Sequence, residues 1–130
     1  PIMFRLKSDL VELLEVAIDG GLDKVEAQWD RRVALGVVLA AANYPETPRK
    51  GDVIFGLAKA SDDAHVFHAG TASSASGEVV TNGGRVLCVT VLGDSVRMAQ
   101  KRAYEAVDRV RFDGMQYRTD IGYRALQARR

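Results

Sequence analysis

Residues 82–85 read Asn-Gly-Gly-Arg and combine two things an anion needs: backbone amides open to close approach and a planar cation beside them. Glycine carries no Cβ, so the amides of Gly83 and Gly84 can reach a ligand that a larger residue would hold off. Arg85 adds a fork of donors that matches phosphate or carboxylate. The same residues also make an ordinary hairpin turn with a solvated arginine, since Asn-Gly is foremost a turn signal. His68, which alternates with Val66 just ahead of Ala69-Gly70-Thr71, can donate to a phosphate or carbonyl oxygen, or serve as a hydrogen-bonded rim residue. Arg49 and Lys50, in a proline-rich loop, can close over an anion or simply solubilise the loop. Cys88 has no base nearby in sequence and reads as a small core residue. Asp9, Glu12 and Glu15 read as a solvated helix face, because they lack the histidines or loop glycine of a metal motif. No complete catalytic set and no metal set follows from residue types and spacing.

The whole chain narrows the partners. Its 130 residues suit one domain with a real core, and 47% hydrophobic with 27% charged residues is the ordinary globular class. With 18 basic against 17 acidic side chains, the net charge of +1 offers no general field for nucleic acid. The basic residues Arg97, Lys101, Arg102, Arg109 and Arg111 are interleaved with only Tyr104 as an aromatic, which does not make a stacking surface. A single cysteine excludes an internal disulfide and fits a reducing, cytoplasmic setting. The longest apolar run, Val33 to Ala42, is about half of a membrane span. Arg5, Lys7 and Asp9 interrupt the N-terminus before a signal-type apolar region develops. Pro1 opens directly inside amphipathic sequence, which reads as a cut end of a longer protein.

These residues must be positioned by a small set of elements. Leu6, Leu10, Leu13, Leu14, Ala17 and Ile18 recur at helical spacing and predict a helix over 6–18, stopped by Gly20-Gly21. Leu22 to Arg32 reads as a short irregular connection and a point where the domain changes. Val33 to Ala42 predicts a buried strand, Asn43 to Asp52 a stiff loop, Val53 to Leu57 a short strand or turn, and Ala58 to Ala64 a surface loop. His65–Thr71, Glu78–Thr81 and Val86–Leu92 predict three strands joined as an antiparallel meander. Asp94 or Ser95 caps a long helix through Val96, Ala99, Ala103, Val107 and Val110, ended by Phe112-Asp113-Gly114. Ile121 and Leu126 anchor a basic tail. The class is α+β.

Five stretches in order along the chain together resemble one family. They are Pro1–Leu10 (PIMFRLKSDL); Gly36–Ala41 with Tyr44-Pro45 and Lys50–Ile54 (KGDVI); Val66–Thr71 (VFHAGT); Thr81–Thr90 (TNGGRVLCVT); and Arg118–Leu126 (RTDIGYRAL). They resemble the C-terminal part of the phosphoribosylamine–glycine ligases, also called glycinamide ribonucleotide synthetases, whose members have an ATP-grasp fold. The resemblance implies that residues 1–21 are the last helix of the ATP-grasp domain, 22–32 a connection, and 33–130 a small substrate-side domain with a mainly antiparallel sheet packed by one long helix. It implies a reaction in which ATP and magnesium activate the glycine carboxylate as an acyl phosphate that the amine of 5-phosphoribosylamine attacks. The metal ligands and most ATP contacts would lie upstream of Pro1, and no catalytic residue is assigned within the chain. By position, Arg85, Gly83 and Gly84 would meet the substrate phosphate, with His68, Gly70 and Thr71 on the adjoining strand. The family commonly has Gly-Gly before Tyr-Pro where this chain has Ala42-Asn43, and asparagine tolerates the positive φ such a turn uses.

A second reading makes the chain a non-catalytic module that recognises an anionic metabolite or packs on a partner chain. Translation beginning near Met3 would favour it. A longer native chain favours the ligase, and in that case the leucines of the first helix would face upstream sequence.

Overall fold

The structure is a computed structural model and describes residues 1–57 and 64–128. Its centre is a three-stranded antiparallel sheet in the order β1-β5-β2, formed by β1 (Val33–Ala40), β5 (Arg85–Gly93) and β2 (Ala64–His68). A separate two-stranded hairpin pairs β3 (Thr71–Ser73) with β4 (Val79–Thr81). The expected meander is therefore corrected. β2 pairs with β5, and the chain between them leaves the sheet as the β3–β4 hairpin before returning. The strand expected over His65–Thr71 is divided because the chain bends at Ala69-Gly70.

Register explains why β5 is apolar on both faces. Leu35, Val37 and Leu39 stand opposite Val91, Val89 and Leu87, and all six are buried on one face of the sheet. Helix α3 (Val96–Val107) covers that face with Ala99, Ala103 and Val107, fully buried at four-residue intervals. The Ser95 side chain accepts a hydrogen bond from the Met98 amide at 3.2 Å and starts the helix. The helix ends earlier than the apolar pattern predicts. Val110 and Phe112 are buried on either side of exposed Arg111, which bridges Phe55, so the pattern there has the period of a strand.

The opposite face carries Gly36 and Val38 from β1, Cys88 and Thr90 from β5, and His65 and Phe67 from β2, by the same register. The N-terminal turn α1 (Ile2–Arg5) lies over part of it. The Phe4 ring sits 6.0 Å from His65 and 6.2 Å from Phe67, and Pro1 packs over Gly36. The single helix expected over 6–18 is corrected to α1 and α2 (Leu10–Ile18). The chain is extended at Leu6 instead, because the Lys7 and Asp30 amides donate to the Gln28 and Arg5 carbonyls and Leu6 bridges Trp29. Asp9 then caps α2 by accepting from the Val11 and Glu12 amides.

The tail is ordered by pairing too: Gln116 bridges Ala40 at the outer edge of β1, and a short helix α4 (Tyr123–Gln127) follows. The surface loop expected over Ala58–Ala64 falls on residues 58–63, outside the described residues, while Ala64 already belongs to β2. Among the described residues no helix is long and apolar enough to cross a membrane.

Candidate functional site

The open sheet face becomes a groove where β5 begins. Two chain segments cross there with glycine against glycine: a Cβ on Gly70 would lie 2.8 Å from the Gly83 Cα and 2.8 Å from the Arg85 carbonyl oxygen. Both contacts are to backbone, so no rotamer change relieves them. The crossing is held by the Asn82 amide donating to the Gly70 carbonyl at 2.7 Å and the Gly70 amide donating to the Arg85 carbonyl at 2.9 Å. Gly84 has its own constraint, since a Cβ there would come within 2.7 Å of the Tyr44 ring.

Tyr44 is delivered by the proline-rich loop. Asn43 adopts φ of 65°, the left-handed backbone that asparagine accepts more readily than most residues. Arg49 ties this loop down: its guanidinium bonds the Asp52 carboxylate at 2.8 Å and also the Asp113 carboxylate. These two anions, Asp52 first, raise its pKa above the ordinary value. Arg49 is thus a brace for the loop rather than a free cation.

The resulting cavity, about 680 Å³, is lined by Val38, Tyr44, Ala69, Gly70 and Gly84 and by Arg85, Leu87 and Cys88 of β5. Arg85 is exposed, and its guanidinium has no hydrogen-bond or ion-pair partner among the described residues. Nor do the amides of Gly83 and Gly84 find an acceptor among them. An unpaired guanidinium beside unpaired backbone donors is an arrangement suited to an anion.

The sequence candidates separate into two groups. Gly70, Gly84 and Arg85 share the cavity, and Gly83 stands directly behind it against Gly70. His68 and Thr71 hydrogen-bond each other, Nδ1 to Oγ1 at 3.0 Å, and neither is among the described residues lining the cavity. His68 is paired with Leu87, which does line the cavity, but its imidazole is engaged by Thr71 instead. Residue types alone did not point to Val38 and Tyr44. The available signals were the even-numbered positions of β1 and the Tyr-Pro step into the loop. Among the described residues, no group of three or more His, Cys, Asp or Glu side chains is placed to hold a metal ion.

A helix-backed antiparallel sheet whose other face, partly covered by α1, ends in a glycine-walled groove makes a small α+β domain. The chain belongs to the phosphoribosylglycinamide synthetase C-domain family, whose profile matches residues 34–124. It is 60% identical over 126 residues to a phosphoribosylamine–glycine ligase of Neisseria meningitidis, covering 97% of this chain and 30% of that protein. The corresponding ligase of Ralstonia nicotianae is 58% identical over 127 residues, covering 98% of this chain and again 30% of the relative. Among solved structures, the phosphoribosylamine–glycine ligase of Thermotoga maritima superposes with a TM-score of 0.63 at 36% identity, over 84% of this chain and 27% of that one. The chain thus spans about 30% of the length of these curated relatives.

Proposed function

We propose that this chain is the C-terminal portion of an ATP-dependent carbon–nitrogen ligase that joins glycine to 5-phosphoribosylamine, forming glycinamide ribonucleotide, ADP and phosphate in purine synthesis. The relatives' names support the reaction, and the lone Arg85 guanidinium at the groove carries the chain's part in it. A phosphate monoester brings about two negative charges and needs several donors. Arg85 supplies a bidentate pair, and the Gly83 and Gly84 amides supply donors whose positions the backbone crossing fixes beforehand. Fixed donors lose little entropy on binding, so the site serves to hold the sugar phosphate while its amine is presented to the activated glycine. His68 and Thr71, bonded to each other outside the cavity, support the crossing rather than touch the phosphate.

On this reading residues 1–21 close the ATP-grasp portion, 22–32 connect, and the remainder is the substrate-side domain. ATP and magnesium supply the activation and are held by the upstream portion, so the isolated chain forms no ADP. The full enzyme works in the cytoplasm. Steady-state kinetics of the full-length enzyme test the role of Arg85. Arg85→Ala is expected to raise the KM for phosphoribosylamine by ten- to a hundredfold, the effect of losing a charge-assisted bond, with the KM for ATP unchanged. An equal loss for both substrates would dismiss the assignment.

A further inference from the structure

The groove continues past its arginine. A second cavity of about 390 Å³ opens on the same side of β1, bounded by Ala40, Gln116 and Tyr117, and it shares Val38, Tyr44 and Arg85 with the first. Tyr44 and Arg85 therefore form a wall common to two compartments. The compartments differ in charge. Arg118, at the far rim of the second, is already bidentate to Asp120 at 2.9 and 2.8 Å. Arg85 has no such partner among the described residues. The pair of cavities thus offers one anion position, beside Arg85, and the rest of the second compartment is neutral.

Between Arg85 and the paired Arg118, Gln116 is the neutral lining residue that hydrogen bonds hold in place. The backbone of Gln116 exchanges both hydrogen bonds with Ala40, at 2.7 and 2.9 Å, and its Nε2 donates to the Ala41 carbonyl at 2.9 Å. A carbonyl can only accept, so this bond identifies the nitrogen and leaves Oε1, on a residue that lines the cavity, as an acceptor without a donor among the described residues. An apolar floor, a tyrosine ring and one acceptor next to an anion site match a ring that has CH faces on one side and hydroxyls at its edge.

We infer that this second compartment holds the ribosyl group of the substrate, with a ring hydroxyl donating to Gln116 Oε1 and the carbon skeleton lying against Val38, Ala40 and Tyr44. The inference rests on the phosphate reading above and adds the sugar contacts to it.

Calorimetric titration of the full-length protein with inorganic phosphate and with ribose 5-phosphate tests both parts. Gln116→Met keeps the length of the side chain and removes the acceptor. It is expected to weaken ribose 5-phosphate about five- to tenfold, the effect of one hydrogen bond, and to leave inorganic phosphate unchanged. Tyr117→Ala, at an exposed position that lines the second compartment and not the first, is expected to weaken ribose 5-phosphate selectively by removing a wall, and carries the test if Gln116→Met does not fold. If neither variant discriminates the two probes, or both probes weaken equally, the ribosyl assignment is overturned while the phosphate reading stands. If Arg85→Ala leaves both probes unchanged, the phosphate reading fails and takes this inference with it.

Discussion

Arg85 and Gly70 show how one position can be read for chemistry and another for space. Arg85 is the charged end of an otherwise buried strand, and a guanidinium without a local partner is available to a ligand at little cost in broken contacts. Gly70 sits where a methyl group would collide with the Gly83 and Arg85 backbones. Gly70→Ala is therefore expected to destabilise the protein by about 1–3 kcal/mol, as overpacking does, and to weaken phosphate binding as the crossing is forced apart. Chemical denaturation and phosphate titration of the same variant measure the two effects. Asp30 makes a second prediction at this scale. The Arg32 side chain, at 2.8 Å, holds its carboxyl at about 2, below the ordinary 3.8. A depressed acid binds fewer protons folded than unfolded, so its contribution is fully present above the unfolded value and is lost as pH falls from about 3.8 through about 2. Asp30→Asn should flatten the acid limb of a denaturation midpoint measured across that window.

At the scale of elements, short caps and braces hold the groove in shape. Ser95 caps the helix that covers the buried sheet face, and Ser95→Ala should lower stability by about 1 kcal/mol with no effect on ligand binding. Arg49 braces the loop that presses Tyr44 against Gly84. Arg49→Gln should leave the melting temperature little changed, since exposed ion pairs contribute little, yet weaken ribose 5-phosphate by releasing Tyr44. Calorimetry paired with thermal melts separates a positioning role from a purely structural one.

The whole molecule has two unlike ends. The α3 side is closed and well packed, whereas the N-terminal segment leaves apolar residues open to solvent: Ile2 is 72% exposed, Val11 62% and Ile18 85%, with Leu10, Leu14 and Leu22 beside them. Contiguous apolar surface of this kind marks a contact with other protein. The relatives are more than three times longer than the chain, in keeping with upstream sequence as the covering partner. The isolated chain is expected to bind an apolar dye and to associate with increasing concentration in sedimentation, and the full-length protein to do neither. A monomeric isolated chain without dye binding would remove this surface from the domain contact.

Local pattern was enough to identify the helix of Ala99, Ala103 and Val107, the doubly apolar strand and the exposed arginine at its start, because each depends on neighbours within a few residues; the hairpin turn expected at Asn82-Gly83-Gly84 is instead a bend between strands of two different sheets, with none of the three residues at positive φ. Pairing was not legible in this way. Which strand lies beside β5, the break between α1 and α2, and the early end of α3 are set by contacts with residues twenty or more positions away, such as Leu6 with Trp29 and Phe55 with Arg111. The groove depends on the same distant contacts. Arg85 was visible as a charge, but Tyr44, Val38 and Gln116 became its neighbours only when β1 paired with β5 on one side and with the tail on the other. Sequence determined which residues could attract an anion; tertiary pairing decided which surfaces stand around it, since register assigns every strand side chain to a face.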